Sequence, residues 1–188
     1  QHQASHVRQG VTTVLGGPDG GGPWPFGKYL DSLGSNFKLG MNIAYLTGHN
    51  VIRSEVMGNE NRKPTEAELN RMKEMVRQAM EEGAFGLSTG LKYLLGAFAE
   101  TSEIVELSKV AAGMGGIYTS HLREEGLGLI EGVTEAMVIA RDAGIPVILT
   151  HHKAMGKPMW GKSVRTLTMV DSARKEGLDI MMDQYPYA

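Results

Sequence analysis

The feature that most constrains this chain is an alternation that recurs about every 30 residues: a short apolar run, then an amphipathic stretch that stops at glycine. Six apolar runs read as strands, over 11–16, 41–46, 84–88, 116–120, 146–150 and 178–183. Most are nearly continuous in apolar character, as suits strands covered on both faces of a parallel sheet. Helices are predicted over 66–82, 102–114, 129–143 and 164–176, with a weaker one over 26–33. The first of the four is the clearest. Pro64 precedes it, Thr65 and Glu68 form a capping box, and Gly83 stops it. Its Leu69, Met72, Met75, Val76, Ala79 and Met80 recur at helical spacing and form one stripe.

This order points to an α/β fold with a parallel sheet. An open doubly wound sheet and a (β/α)8 barrel both satisfy it. No Gly-x-Gly-x-x-Gly opens a helix and no Walker A motif is present, which weakens the first. The loop over 16–22 is rich in glycine, but Pro18 and Asp19 suit a phosphate poorly. With 188 residues, 41% of them hydrophobic, the chain can bury one sizeable core. A net charge of -2 steers it towards neither nucleic acid nor an anionic membrane, and no apolar run reaches the ~18 residues of a membrane span. The absence of cysteine excludes disulfides, thiolate metal sites and a thiol nucleophile. The start, Gln1-His2-Gln3-Ala4-Ser5, reads as a cut from a longer chain, so residues 1–188 are expected to be one internal piece of a domain.

In parallel α/β folds the chemistry gathers just beyond the C-terminal ends of the strands. Asp19, His49, Ser88-Thr89, His121 to Glu125, His151-His152-Lys153 and Asp183 to Tyr187 all follow predicted strands. His121 and His151 are the central pair. Parallel neighbours are ~4.8 Å apart, so imidazoles at adjacent strand ends can converge on one ion. The alternative is two strand-end histidines bonded to backbone. Alternation turns His151 and His152 to opposite sides, and the residues alone leave open which one enters the site. Lys153 and Arg123 lie two residues beyond His151 and His121, where each could hold a substrate carboxylate or simply be solvated. Glu124 and Glu125 read as a solvated or helix-start pair. Asp183 is expected to be buried if its strand is central. Tyr185 and Tyr187 could pack as wall or donate to substrate, and His2 and His6 carry no site reading.

At these residues the sequence resembles the N-acyl-D-amino-acid deacylase (D-aminoacylase) family of the amidohydrolase superfamily. The matching stretches are Gln9 to Thr13, Gly48-His49 with Arg53 and Val56 to Gly58, Gly83 to Leu91, Tyr118 to Glu125, Thr150 to Gly156 and Asp183 to Tyr187. Each is weak alone; six in family order along nearly the whole chain are specific. The resemblance implies a partial (β/α)8 TIM-like barrel of the metal-dependent amidohydrolase type, about strands 2–7. It implies Zn2+ held by His121 and His151, which selects His151 over His152. It implies that Lys153 and Tyr185, or else Tyr187, contact the carboxylate of a small-molecule N-acyl amino acid.

The sequence departs from the family pattern in three ways. Asp19 stands where members often carry a zinc-ligating cysteine, and a carboxylate can serve there. The His-x-His of the first strand and the catalytic aspartate of the eighth are not among these residues, so the general base is expected outside them. The activity implied is metal-dependent hydrolysis of N-acyl-D-amino acids, with the isolated piece inactive and self-associating through its open sheet edges. The alternatives are a dihydroorotase-, hydantoinase- or isoaspartyl-dipeptidase-like amidohydrolase, or a non-catalytic relative of the fold.

Overall fold

The computed structural model describes residues 3–36 and 39–186. A short helix, α1 (Ala4–Val7), precedes β1 (Thr13–Gly16), α2 (Phe26–Asn36) and β2 (Asn42–Tyr45). β3 (Thr47–Gly48), α3 (His49–Met57), α4 (Glu66–Glu81) and β4 (Gly86–Gly90) follow. The chain continues through α5 (Thr101–Gly113), β5 (Ile117–His121), α6 (Leu129–Ala143), β6 (Val147–Leu149), α7 (Ser163–Lys175) and β7 (Ile180–Met182). All strand pairs are parallel and their spatial order is their sequence order, as a barrel wall requires.

The ladder divides within the second predicted strand. Asn42 to Tyr45 pair with β1, whereas Thr47 and Gly48 pair with β4. Leu46 is the one residue between them, and its own N–H still donates to Gly16. The sheet therefore has a two-stranded and a five-stranded part joined through a single bending strand.

Helices form where the stripe and caps direct. Thr65 Oγ1 accepts the Glu68 N–H while Glu68 Oε2 accepts the Thr65 N–H, the reciprocal capping box read from sequence. Met72, Met75, Val76 and Ala79 of α4 are buried. α6 ends on Gly144 at φ 64°, a left-handed position that a side chain would strain. The main core lies between helices and sheet, built on Ile52, Met72, Leu87, Ile104, Leu107, Tyr118, Val133, Ile139, Val147 and Leu149. No helix among the described residues is long and apolar enough to cross a membrane.

Two helices were not legible, the single turn α1 and α3. α3 starts directly from β3 with His49, which the sequence places as a rim residue. Its polar and β-branched residues have weak helix propensity, and burial of Ile52, Arg53 and Met57 decides the conformation instead. His49 is fully buried, away from the rim: Nε2 lies 2.7 Å from Glu103 Oε1, and Arg53 Nη1 donates to Glu103 Oε2 at 2.5 Å. Arg53 Nη2 also donates to the Arg62 carbonyl at 2.6 Å. Three buried polar side chains thus tie α3, α5 and the 58–65 loop together.

Burial alone would push the Glu103 carboxyl up, but His49 and Arg53 outweigh it and hold the group below its usual value. A lowered folded-state value stabilises the fold above the unfolded-state range and is lost as pH falls through it. Glu103→Ala is expected to cost about 3–5 kcal/mol in urea unfolding, because it leaves Arg53 buried and unpaired. It is also expected to flatten the loss of stability below pH ~4.5. An unchanged unfolding midpoint would show that the cluster contributes nothing.

Candidate metal centre

The site forms where β5, β6 and the loop after β1 meet. His121 closes β5 and is 6% exposed; His151 follows β6 and is 9% exposed. His121 Nδ1 lies 2.7 Å from His151 Nε2. Asp19 Oδ2 is 3.8 Å from the first nitrogen and Asp19 Oδ1 3.5 Å from the second. One donor atom from each of the three residues falls within 4.8 Å of the others.

The route by which His151 arrives is not the one a straight strand provides. Register pairs Ser120 with Leu149, so His121 stands opposite Thr150, and alternation would send Thr150 and His152 to the side of His121. The backbone at His151 turns left-handed instead, at φ 41°. That single residue swings its own ring to His121 and sends His152 outward, where Nε2 contacts Thr166 Oγ1 of α7 at 2.8 Å. Burial holds the His152 imidazole below its usual pKa. Asp183 supports the turn: Oδ1 accepts the His151 N–H at 2.5 Å, and its carbonyl accepts the His152 N–H at 2.9 Å. Asp183 itself is exposed, because β7 is an edge strand in this sheet.

Asp19 also sits at positive φ, 63°, in a loop pressed onto glycines. A Cβ on Gly90 would lie 2.3 Å from the Asp19 carbonyl, and one on Gly48 would lie 2.3 Å from two carbonyls of the same loop. Ser88 Oγ donates to Gly17 O at 2.6 Å and accepts the Gly20 N–H at 3.2 Å. Ser88 and Thr89 therefore lie inside β4, which runs to Gly90, and Ser88 serves the loop. The neighbouring His121 chiefly, with help from His151, holds the Asp19 carboxyl below its ordinary pKa against the effect of burial.

The remaining rim residues divide. Lys153 Nζ donates to Glu125 Oε1 at 2.6 Å and lies 2.9 Å from His151 Nδ1. Tyr185 is half exposed, its ring 5.5 Å from that of His151 and 5.1 Å from Lys153 Nζ. Beside His151 and Tyr185 lies a cleft of about 280 Å³, lined by Leu15, Leu46, Thr119 and Ile148. Arg123 turns away: it forks onto Glu135 and donates to the Ala97 and Ala99 carbonyls, so it anchors a loop to α6. Glu124 is solvated, pairing with Lys92, but Glu125 is 5% exposed and stands among Lys153, His151 and His121, against the reading of a solvated pair. Tyr93, which the sequence did not single out, places its hydroxyl 3.2 Å from His121 Nδ1. Burial first, then the nearby carboxylates, raises its pKa. His6 is exposed on α1; His2 and Tyr187 lie outside the described residues.

Two imidazole nitrogens and a carboxylate form a donor set that suits a borderline divalent ion such as zinc. Asp19 Oδ1 is buried and accepts no hydrogen bond among the described residues, a charge left for a cation. Two ring nitrogens 2.7 Å apart must share one proton or one ion.

No protein-family model matches the chain. It is 34% identical to a D-aminoacylase of Alcaligenes xylosoxydans xylosoxydans over 96% of its own length and 42% of the relative's. It is 41% identical to an N-acyl-D-glutamate deacylase of the same organism over 78% of its own length and 30% of the relative's. This chain is a homologue of the D-aminoacylases. A solved N-acyl-D-glutamate deacylase from Bordetella bronchiseptica superposes with a TM-score of 0.91 at 34% identity, covering 96% of this chain and 43% of that one. That structure holds zinc and a phosphonate mimic of the tetrahedral intermediate. The fold is accordingly a part of the amidohydrolase-type barrel, and the chain spans about two fifths of the length of that D-aminoacylase.

Gly90→Ala tests the loop that presents Asp19. The added methyl meets the Asp19 backbone, so a loss of about 1–3 kcal/mol is expected in urea unfolding. Faster amide exchange over residues 17–22 should accompany it. Unchanged exchange there would show that the close approach does not hold the loop.

Proposed function

We propose that this chain supplies the metal-holding portion of an amidohydrolase that cleaves N-acyl-D-amino acids into a carboxylate and a free D-amino acid. The convergence of Asp19, His121 and His151 at the C-terminal ends of parallel strands carries the reading, in a chain homologous to D-aminoacylases. These three residues would hold zinc, with Asp19 providing a hard ligand. Bound zinc supplies Lewis-acid chemistry, polarising an acyl carbonyl and bringing the pKa of water towards ~7.

The other residues bind and orient. Lys153 has three N–H donors, and its Nζ meets Glu125 Oε1 at 2.6 Å, His151 Nδ1 at 2.9 Å and the His151 carbonyl at 3.0 Å. A substrate carboxylate entering beside Tyr185 would take over one of these donors, with the tyrosine hydroxyl as a second anchor. Such an anchor orients the substrate so that its amide lies over the metal ligands. The described carboxylates do not provide a general base: Asp19 faces the histidines, and Glu125 lies on their far side. The aspartate that the family resemblance places on the eighth strand would take the proton and pass it to the leaving amine. The 188 residues alone are therefore proposed to be inactive and to self-associate through β1 and β7.

In the full-length protein, His121→Ala and His151→Ala are each expected to abolish metal content and turnover together. Lys153→Ala should raise KM about 10–100-fold with a smaller change in kcat, as loss of a charged hydrogen bond implies. Chelation should stop turnover and added zinc restore it. N-acyl-D-amino acids should react faster than their L-enantiomers. A purified full-length protein free of metal, or one indifferent to chelation, would exclude the reading; zinc-dependent turnover by residues 1–188 alone would show that the site is complete without other segments.

A further inference from the structure

Each histidine of the pair has an inner nitrogen, facing the other ring and Asp19, and an outer one. The inner atoms are His121 Nδ1 and His151 Nε2. Both outer atoms face one carboxylate: Glu125 Oε1 lies 3.2 Å from His151 Nδ1, and Glu125 Oε2 lies 3.6 Å from His121 Nε2. Glu125 is 5% exposed, so little water screens these contacts. Its backbone is fixed from both sides. Glu124 Oε1 accepts the Glu125 and Gly126 N–H groups, and the Glu125 carbonyl accepts the Met155 N–H at 2.8 Å.

We propose that Glu125 is the positioning residue that selects which nitrogen each histidine offers to the metal. The inference rests on the metal reading above and adds a role to a residue outside the ligand set. A neutral imidazole carries one proton, and a carboxylate beside an outer nitrogen favours the proton there. Both lone pairs then point inward. The opposing influence is also present: Lys153 Nζ lies 2.9 Å from His151 Nδ1 and, as an ammonium, would donate to it. That would move the ring proton to Nε2, where it blocks the metal-facing lone pair. Glu125 accepts from Lys153 at 2.6 Å, which draws one ammonium proton to the carboxylate and opposes that donation. One side chain thus sets two tautomers and ties the substrate-binding lysine to the metal ligands.

The test is metal affinity in the full-length protein, by chelator competition with zinc and with cobalt(II), whose visible spectrum reports ligand geometry. Glu125→Gln keeps the volume and removes the charge. It is expected to weaken both metals about 10–100-fold and to alter the cobalt bands. Glu125→Asp keeps the charge but shortens the reach, and should recover part of the lost affinity. Glu124→Gln removes the same charge one residue away and should leave affinity within about threefold. Wild-type affinity and spectrum in Glu125→Gln would overturn the proposal, as would an equal loss in Glu124→Gln, which would assign the effect to the loop. If Glu125→Gln fails to fold, Glu125→Asp decides: wild-type affinity there overturns the proposal and an intermediate value supports it. A wild-type protein that binds neither metal would instead sink the functional reading, and this inference with it.

Discussion

The site depends first on the register of the parallel ladder between β4, β5 and β6. Gly90 opposite His121 and Ser120 opposite Leu149 bring three strand ends to one level. Each of these ends then serves differently. β4 ends in a glycine, which leaves room for the Asp19 loop to lie against it. β5 ends in a histidine that keeps regular strand geometry. β6 stops short at Leu149, and the chain departs through the left-handed His151. A one-residue slip of β5 would send the ring of His121 into the helical layer, so the same hydrogen bonds that hold the sheet also define the metal centre.

Polar groups are buried on both sides of this sheet, under different rules. Beneath the helices, Glu103 is matched by His49 and Arg53, and the cluster is close to self-satisfied. At the rim, Asp19, His121 and His151 crowd lone pairs together and leave one carboxylate oxygen without a hydrogen-bond donor among the described residues. The first arrangement holds elements together; the second is under-supplied with protons and suits a cation. Both look alike in sequence, as histidines and acids near strand ends.

This explains what could be read from the sequence and what could not. Strands and five helices were legible because continuous apolar runs, a capping box and terminal glycines are local signals. The parallel α/β order followed from them, whereas the barrel rather than an open sheet came from the family resemblance; Asp19 and the two histidines converge in the structure. His49 misled because it too follows a strand, and only the burial of Ile52 and Met57 shows that the chain has already turned helical there. Arg123 and Glu125 were read from spacing, but their partners, Glu135 and Lys153, come from other elements. Alternation could not choose between His151 and His152, since one left-handed residue reverses its result. The family resemblance carried that choice.

The break in the ladder at Leu46 divides the strands that lead to the proposed ligands between two parts of the sheet. Asp19 follows β1 in the two-stranded part, whereas both histidines belong to the five-stranded part. A cation held by all three would act as a clasp across the seam, and its binding energy would add to the cohesion of the two parts. The resistance of this junction to opening would then rise with the free metal concentration, so that metal supply would govern how long the folded chain persists as well as its chemistry.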